Sequence, residues 1–149
     1  MNLTNYTPSV NIIRDKDKVL NYIPTSNSKR IFNQLVENYK NGFSSFSLIG
    51  PYGTGKSAFL WAFEHQLNSG FPFFELKQDD FHDIKKFQII NFVGDYSSFM
   101  ESFANKFKIK KFKSPDDIVK GFSEYYNKTI SEDELLIIAL DEFGKHLEY

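Results

Sequence analysis

The run Gly50-Pro51-Tyr52-Gly53-Thr54-Gly55-Lys56-Ser57 has the spacing GxxxxGK[ST], and it lies between an apolar stretch and a segment of helical periodicity. No other feature of the chain restricts its fold as much. Phe46-Ser47-Leu48-Ile49 reads as a short strand entering the loop, and Ala58 to Leu67 reads as a helix leaving it, closed by Gly70. Gly53 and Gly55 permit backbone angles that a Cβ would forbid, so successive N–H groups can turn inward around phosphate oxygens. The start of the helix adds its partial positive charge. Lys56 is then expected to reach the β and γ phosphates of a nucleotide, and the Ser57 hydroxyl to ligate Mg²⁺. The nucleotide-binding set read from this run is Gly50, Pro51, Tyr52, Gly53, Thr54, Gly55, Lys56, Ser57 and Ala58.

A second constellation lies where Leu135-Leu136-Ile137-Ile138-Ala139-Leu140 runs into Asp141-Glu142. An unbroken apolar run suits a strand covered on both faces of a parallel sheet, and such a strand delivers its acids to the C-terminal edge of that sheet. Asp141 is the expected Mg²⁺ acid. Glu142 is the expected catalytic base that orients and deprotonates the attacking water, with Lys56 as its catalytic partner on the phosphates.

Asp141-x-x-Gly144 also fits the third motif of GTPases, which read guanine with a downstream NKxD. Asn105-Lys106 and Asn127-Lys128 both lie upstream, and neither is followed by Asp two residues after the Lys. The adjacent Asp141-Glu142 pair therefore favours ATP over GTP.

At 149 residues the chain has material for one core, and its formal net charge of -1 gives no bulk attraction to nucleic acid or to anionic membranes. The absence of Cys excludes disulfides and thiolate chemistry and fits a cytoplasmic protein. The first residues lack the pattern of a signal peptide, and no apolar run approaches the roughly 18 residues of a membrane span. His65, His82 and His146 are scattered and form no zinc pattern.

Residues 1–42 read as an extended lead-in followed by a helix from Ser28 to Tyr39, and 43–149 as the nucleotide-binding core. Tyr22, Ile23 and Pro24 could wall an adenine, although ordinary packing accounts for them more simply. Phe71 to Leu76 reads as an extra strand or an apolar loop, and Gln88 to Val93 as the second core strand. Helices are expected from Ser97 to Phe107 and from Pro115 to Tyr126, the latter with Ser114 as its cap and Asp116 and Asp117 in its first turn. Between them, Lys106-Phe107-Lys108-Ile109-Lys110-Lys111-Phe112-Lys113 interleaves cations with rings, a composition suited to nucleic acid. A solvated basic linker with its rings turned inside is the simpler account.

The segments Ser47 to Ser57 and Leu136 to Glu148 together resemble the start of AAA+-type P-loop ATPases, in particular the large ATP-binding proteins of bacterial phage-defence and restriction loci. The resemblance spans roughly residues 22–149. It implies a three-layer α/β/α fold with a mainly parallel sheet, and Mg²⁺-dependent ATP hydrolysis coupled to oligomerisation and to DNA or an effector partner. Members of that group place a further strand, a sensor residue, a lid and an arginine finger after the acid pair, whereas Arg14 and Arg30 both precede the loop here. The sheet is thus expected to be incomplete at its C-terminal side. The expectation is a piece of a longer ATPase or, alternatively, a binding-only switch completed by a partner chain that supplies a strand and an arginine. A small-molecule phosphotransferase would need a basic lid that the sequence does not show.

Overall fold

The structure, a computed structural model, describes residues 9–77, 79–81, 83–94 and 98–147. Expectations for residues 1–8, His82, Ser97 and Glu148 fall outside the described residues. The described part is α/β, with helices and a two-stranded parallel sheet. The chain divides into two compact units, residues 1–83 and 84–149.

The first unit is built on two helices, α1 (Ser26–Lys40) and α2 (Lys56–Ser69). Helix α1 starts because the Thr25 side chain accepts from the Ser28 N–H, and Phe32 and Val36 bury one turn apart on its inner face. Helix α2 stops at Gly70, whose φ of 66° is left-handed. The core is aromatic. Phe32 is fully buried and stacks on Phe74 at 4.5 Å, and Phe59 meets Phe74 at 5.6 Å. Burying a phenyl side chain of this kind contributes about 2–3 kcal/mol.

Two polar ties lock that core. The Gln66 carbonyl oxygen, buried on α2, accepts from the Phe74 N–H at 2.9 Å, which fixes the segment carrying Phe73 and Phe74. The Trp61 indole donates to the Asp15 carbonyl at 3.0 Å. Asp15 itself is fully buried and is held by Arg14 at 2.6 Å, Lys18 at 2.7 Å and the Asn11 N–H at 3.0 Å. The hydrogen bonds from Arg14 and Lys18 keep its carboxyl well below the usual carboxylate range. Residues 71–77 form a packed loop rather than an extra strand.

The expected strand at Phe46–Ile49 does not form among the described residues. The segment lies outside any sheet, with Ile49 95% exposed. A strand needs a neighbour to satisfy its backbone, and no described strand of its own unit supplies one.

The second unit pairs β1 (Lys86–Val93) with β2 (Glu134–Asp141) in parallel, in register from Lys86 opposite Glu134 to Val93 opposite Asp141. The expected parallel strands are therefore present, each slightly longer than its apolar run. The crossover carries α3 (Phe99–Lys106) and α4 (Pro115–Thr129), and a single turn, α5 (Gly144–Leu147), follows β2. Phe92 is buried and stacks on Phe103 at 5.7 Å, and Phe107 packs on Phe122 at 4.8 Å and on Tyr125 at 5.0 Å. Residues 134–139 of β2 are half-buried rather than sealed on both faces. A two-stranded sheet has an edge on each side, and no further described strand pairs with either one.

Candidate nucleotide site

Residues Gly50 to Gly55 form an exposed turn that feeds directly into α2, whose first residues are Lys56 and Ser57. Gly53 has a φ of 78° and Gly55 a φ of 83°, both in the left-handed region that a side chain resists. These two angles bring the chain round from the Ile49 segment into the first turn of the helix. Nothing lies within 4 Å of the position a Cβ would take at either glycine, so the constraint is conformational and not steric. At Gly50 a Cβ would approach the Thr54 hydroxyl to 3.2 Å. That hydroxyl donates to the Pro51 carbonyl at 2.8 Å and closes the loop on itself.

Lys56 lies across the same loop. Its ammonium donates to the carbonyls of Gly50 and Pro51, each at 2.8 Å, so the side chain is anchored over the turn on neutral acceptors. Helix α2 then begins with no side-chain cap and no acid in its first turn. Its leading N–H groups therefore keep their partial positive charge uncompensated by the protein. Ser57 is half-buried, and its hydroxyl makes no hydrogen bond among the described residues. Tyr52 stands almost fully exposed at the tip. The loop set read from the sequence, Gly50 to Ala58, is thus contiguous in space.

The acids occupy the C-terminal end of β2 in the second unit. Asp141 is buried, and one carboxylate oxygen accepts from the Glu142 N–H at 3.0 Å. Glu142 is exposed and has a φ of 52°, an unusual conformation for a residue with a side chain. Its carboxylate receives the Lys145 ammonium at 2.5 Å. Gly94, at the end of β1, donates its N–H to the Asp141 carbonyl at 2.9 Å. A Cβ on Gly94 would fall 2.2 Å from the Glu142 carbonyl oxygen. The turn after β2 is therefore seated on a bare glycine backbone.

Gly94 and Lys145 are the residues that sequence reasoning missed. Gly94 was legible only as a strand stop, because its close approach to Glu142 is a contact across the sheet. Lys145 stands three residues after Glu142, a spacing at which side chains meet on a helical turn, and that signal was available. No group of three or more metal-ligating side chains is present among the described residues. The Ser57 hydroxyl in the first unit and the Asp141 carboxylate in the second are each an oxygen donor of the kind Mg²⁺ takes.

Tyr22 packs its ring edge-on against Phe73 at 5.5 Å and near Phe74, which is ordinary core packing. Burial of the phenol raises its pKa above the usual value. Ile23 beside it is exposed. No helix among the described residues is long and apolar enough to cross a membrane. Compared with protein-family models, curated proteins and solved structures, the chain has no significant match.

Proposed function

We propose that this chain binds ATP with Mg²⁺ through Gly50 to Ala58 and serves as the nucleotide-binding part of an AAA+-like P-loop ATPase. One observation carries the reading. A loop with two left-handed glycines opens an uncapped helix, with a lysine anchored across it, in the sequence order that phosphate binding requires. In this reading the amides of residues 53–58 cradle the phosphates, and the Lys56 ammonium exchanges its two carbonyl acceptors for phosphate oxygens. Mg²⁺ would be held by Ser57 and, through water, by Asp141, and it would neutralise charge on the phosphates. Glu142 accepts the proton of the attacking water once Lys145 no longer holds its carboxylate.

The three-layer fold belongs to the same proposal. The unpaired Phe46–Ile49 segment and the open edges of the β1–β2 pair support a larger sheet, completed by strands from a longer protein, an oligomer or a partner chain that also supplies an arginine. The second reading, a binding-only switch, differs only in needing that partner before any turnover.

The test is calorimetric titration of Mg-ATP into wild type and two variants. Lys56→Ala removes a side chain whose hydrogen bonds all go to its own loop, so the fold persists while affinity falls at least about 100-fold, the equivalent of about 2.7 kcal/mol. Glu142→Gln keeps affinity and lowers turnover by about 10²- to 10⁴-fold in whatever assembly hydrolyses ATP. Unchanged affinity in Lys56→Ala would refute the site.

A further inference from the structure

Six of the twelve lysines outside the stretch from Lys108 to Lys113 sit beside acids. Lys16 lies near Glu64, Lys18 on Asp15, Lys40 on Asp79 and Asp80, Lys85 on Asp133, Lys86 on Glu134 and Lys145 on Glu142. The segment joining α3 to α4 is different. Lys108, Lys110, Lys111 and Lys113 are all exposed, and their ammonium groups meet no acid among the described residues.

Their backbone is nevertheless tied down. Phe107 is buried, and Ile109 enters the helix surface at Gly121, where a Cβ would come within 2.8 Å of the Ile109 side chain. A mid-helix glycine costs about 1 kcal/mol relative to alanine, and here it makes room for that insertion. At the other end, the Asp117 carboxylate accepts the Lys113 and Ser114 N–H groups at 2.8 and 3.1 Å. Ile109 also donates its N–H to the Ala104 carbonyl at 2.8 Å. Apolar side chains thus anchor the segment inward and leave the intervening lysines outward, on a backbone fixed before any ligand arrives.

We infer that the segment from Lys108 to Lys113 is a nucleic-acid contact that grips the phosphate backbone and does not read bases. The inference is independent of nucleotide binding at the loop. The five residue steps from Lys108 to Lys113 reach at most about 18 Å, the axial length of about five nucleotides of one strand. The rings that could have stacked on bases are turned inside, with Phe107 buried and Phe112 half-buried, so recognition is electrostatic and sequence-tolerant. The same inward rings argue against a membrane surface, since no exposed apolar anchor accompanies the charges on this segment. A local row of uncompensated cations also explains how a chain of net charge -1 could hold a polyanion at all.

The experiment is fluorescence anisotropy with a labelled 20-nucleotide oligothymidylate and a 20-base-pair duplex, titrated across salt. The expected result is binding at low salt that weakens steeply as salt rises. Lys108→Gln/Lys110→Gln/Lys111→Gln should lower affinity about 10-fold or more at 50 mM salt and reduce the log–log salt slope on the single strand by about 2. The charge-matched control Lys29→Gln/Lys77→Gln/Lys128→Gln should leave both near wild type. On the unmodified protein, bound oligonucleotide should protect Lys110 and Lys111 from amine acetylation. Equal losses in the two triple variants, or no protection of Lys110 and Lys111, would overturn the inference. So would binding to phosphatidylserine vesicles without binding to either oligonucleotide. Preference for one oligonucleotide would support it and decide between single strand and duplex.

Discussion

Helices α2 and α4 begin in opposite ways. At α4, Ser114 accepts from the Asp117 N–H while the Asp117 carboxylate accepts back from the Ser114 N–H, and Pro115 and Asp116 fill the first turn. Every element there offsets the orphan amides and the positive end of the dipole from within the protein. At α2 the corresponding position is Gly55 in a left-handed conformation, with no side-chain oxygen and no acid behind it. One helix start is self-sufficient. The other leaves its N–H groups without an anionic partner, which a phosphate would supply in the proposed function. The contrast teaches that the capacity to bind an anion lies less in the helix dipole, which both share, than in what the sequence withholds from its first turn.

Making α2 resemble α4 is the strongest way to break the contrast. Ser57→Asp places an acid in the first turn, where it should stabilise the helix by about 0.3–1 kcal/mol while repelling phosphate. Thermal unfolding should move slightly upward, and Mg-ATP affinity should fall at least about 100-fold by calorimetry. Removing the cap from α4 is the converse experiment. Ser114→Ala should cost about 1 kcal/mol of stability in denaturant titration and leave ATP affinity unchanged.

The smallest effect is on pH. Hydrogen bonds from the Lys113 N–H first, and then from Ser114, hold the Asp117 carboxyl below its usual range. Its native pKa is thus lower than its unfolded one, so its contribution to stability is complete above the ordinary carboxylate range. That contribution fades as pH falls through the depressed value. Asp117→Asn should flatten this part of the acid limb in melting temperatures taken across pH, with nucleotide affinity at neutral pH unaltered.

Local elements were legible in the sequence because their causes are local. The Ser114 cap with Pro115 at the first helical position, the Gly70 stop of α2, and the apolar runs of β1 and β2 all appear where periodicity and turn chemistry place them. Strand Phe46–Ile49 failed for a non-local reason. Its apolar residues satisfy strand propensity, yet a strand exists only when a neighbour accepts its hydrogen bonds. Asp15 was equally opaque. A buried carboxylate under Trp61, clamped by Arg14 and Lys18, cannot be told from a surface acid without tertiary contacts. At the candidate site, the loop from Gly50 to Ser57 was legible residue by residue, because its angles follow from Gly53 and Gly55. The bare-backbone seat that Gly94 offers Glu142 was not, because it joins residues 48 positions apart in the sequence.

The most direct measurement is a ¹H–¹⁵N amide spectrum of the chain recorded while Mg-ATP is added. Phosphate binding at the loop predicts large shifts for the amides of Gly53, Gly55, Lys56 and Ser57 and none for those of Asp116 and Asp117 at the start of α4. Amides at Gly53 to Ser57 that stay in place at saturating ATP, or that move no more than those of α4, would contradict it.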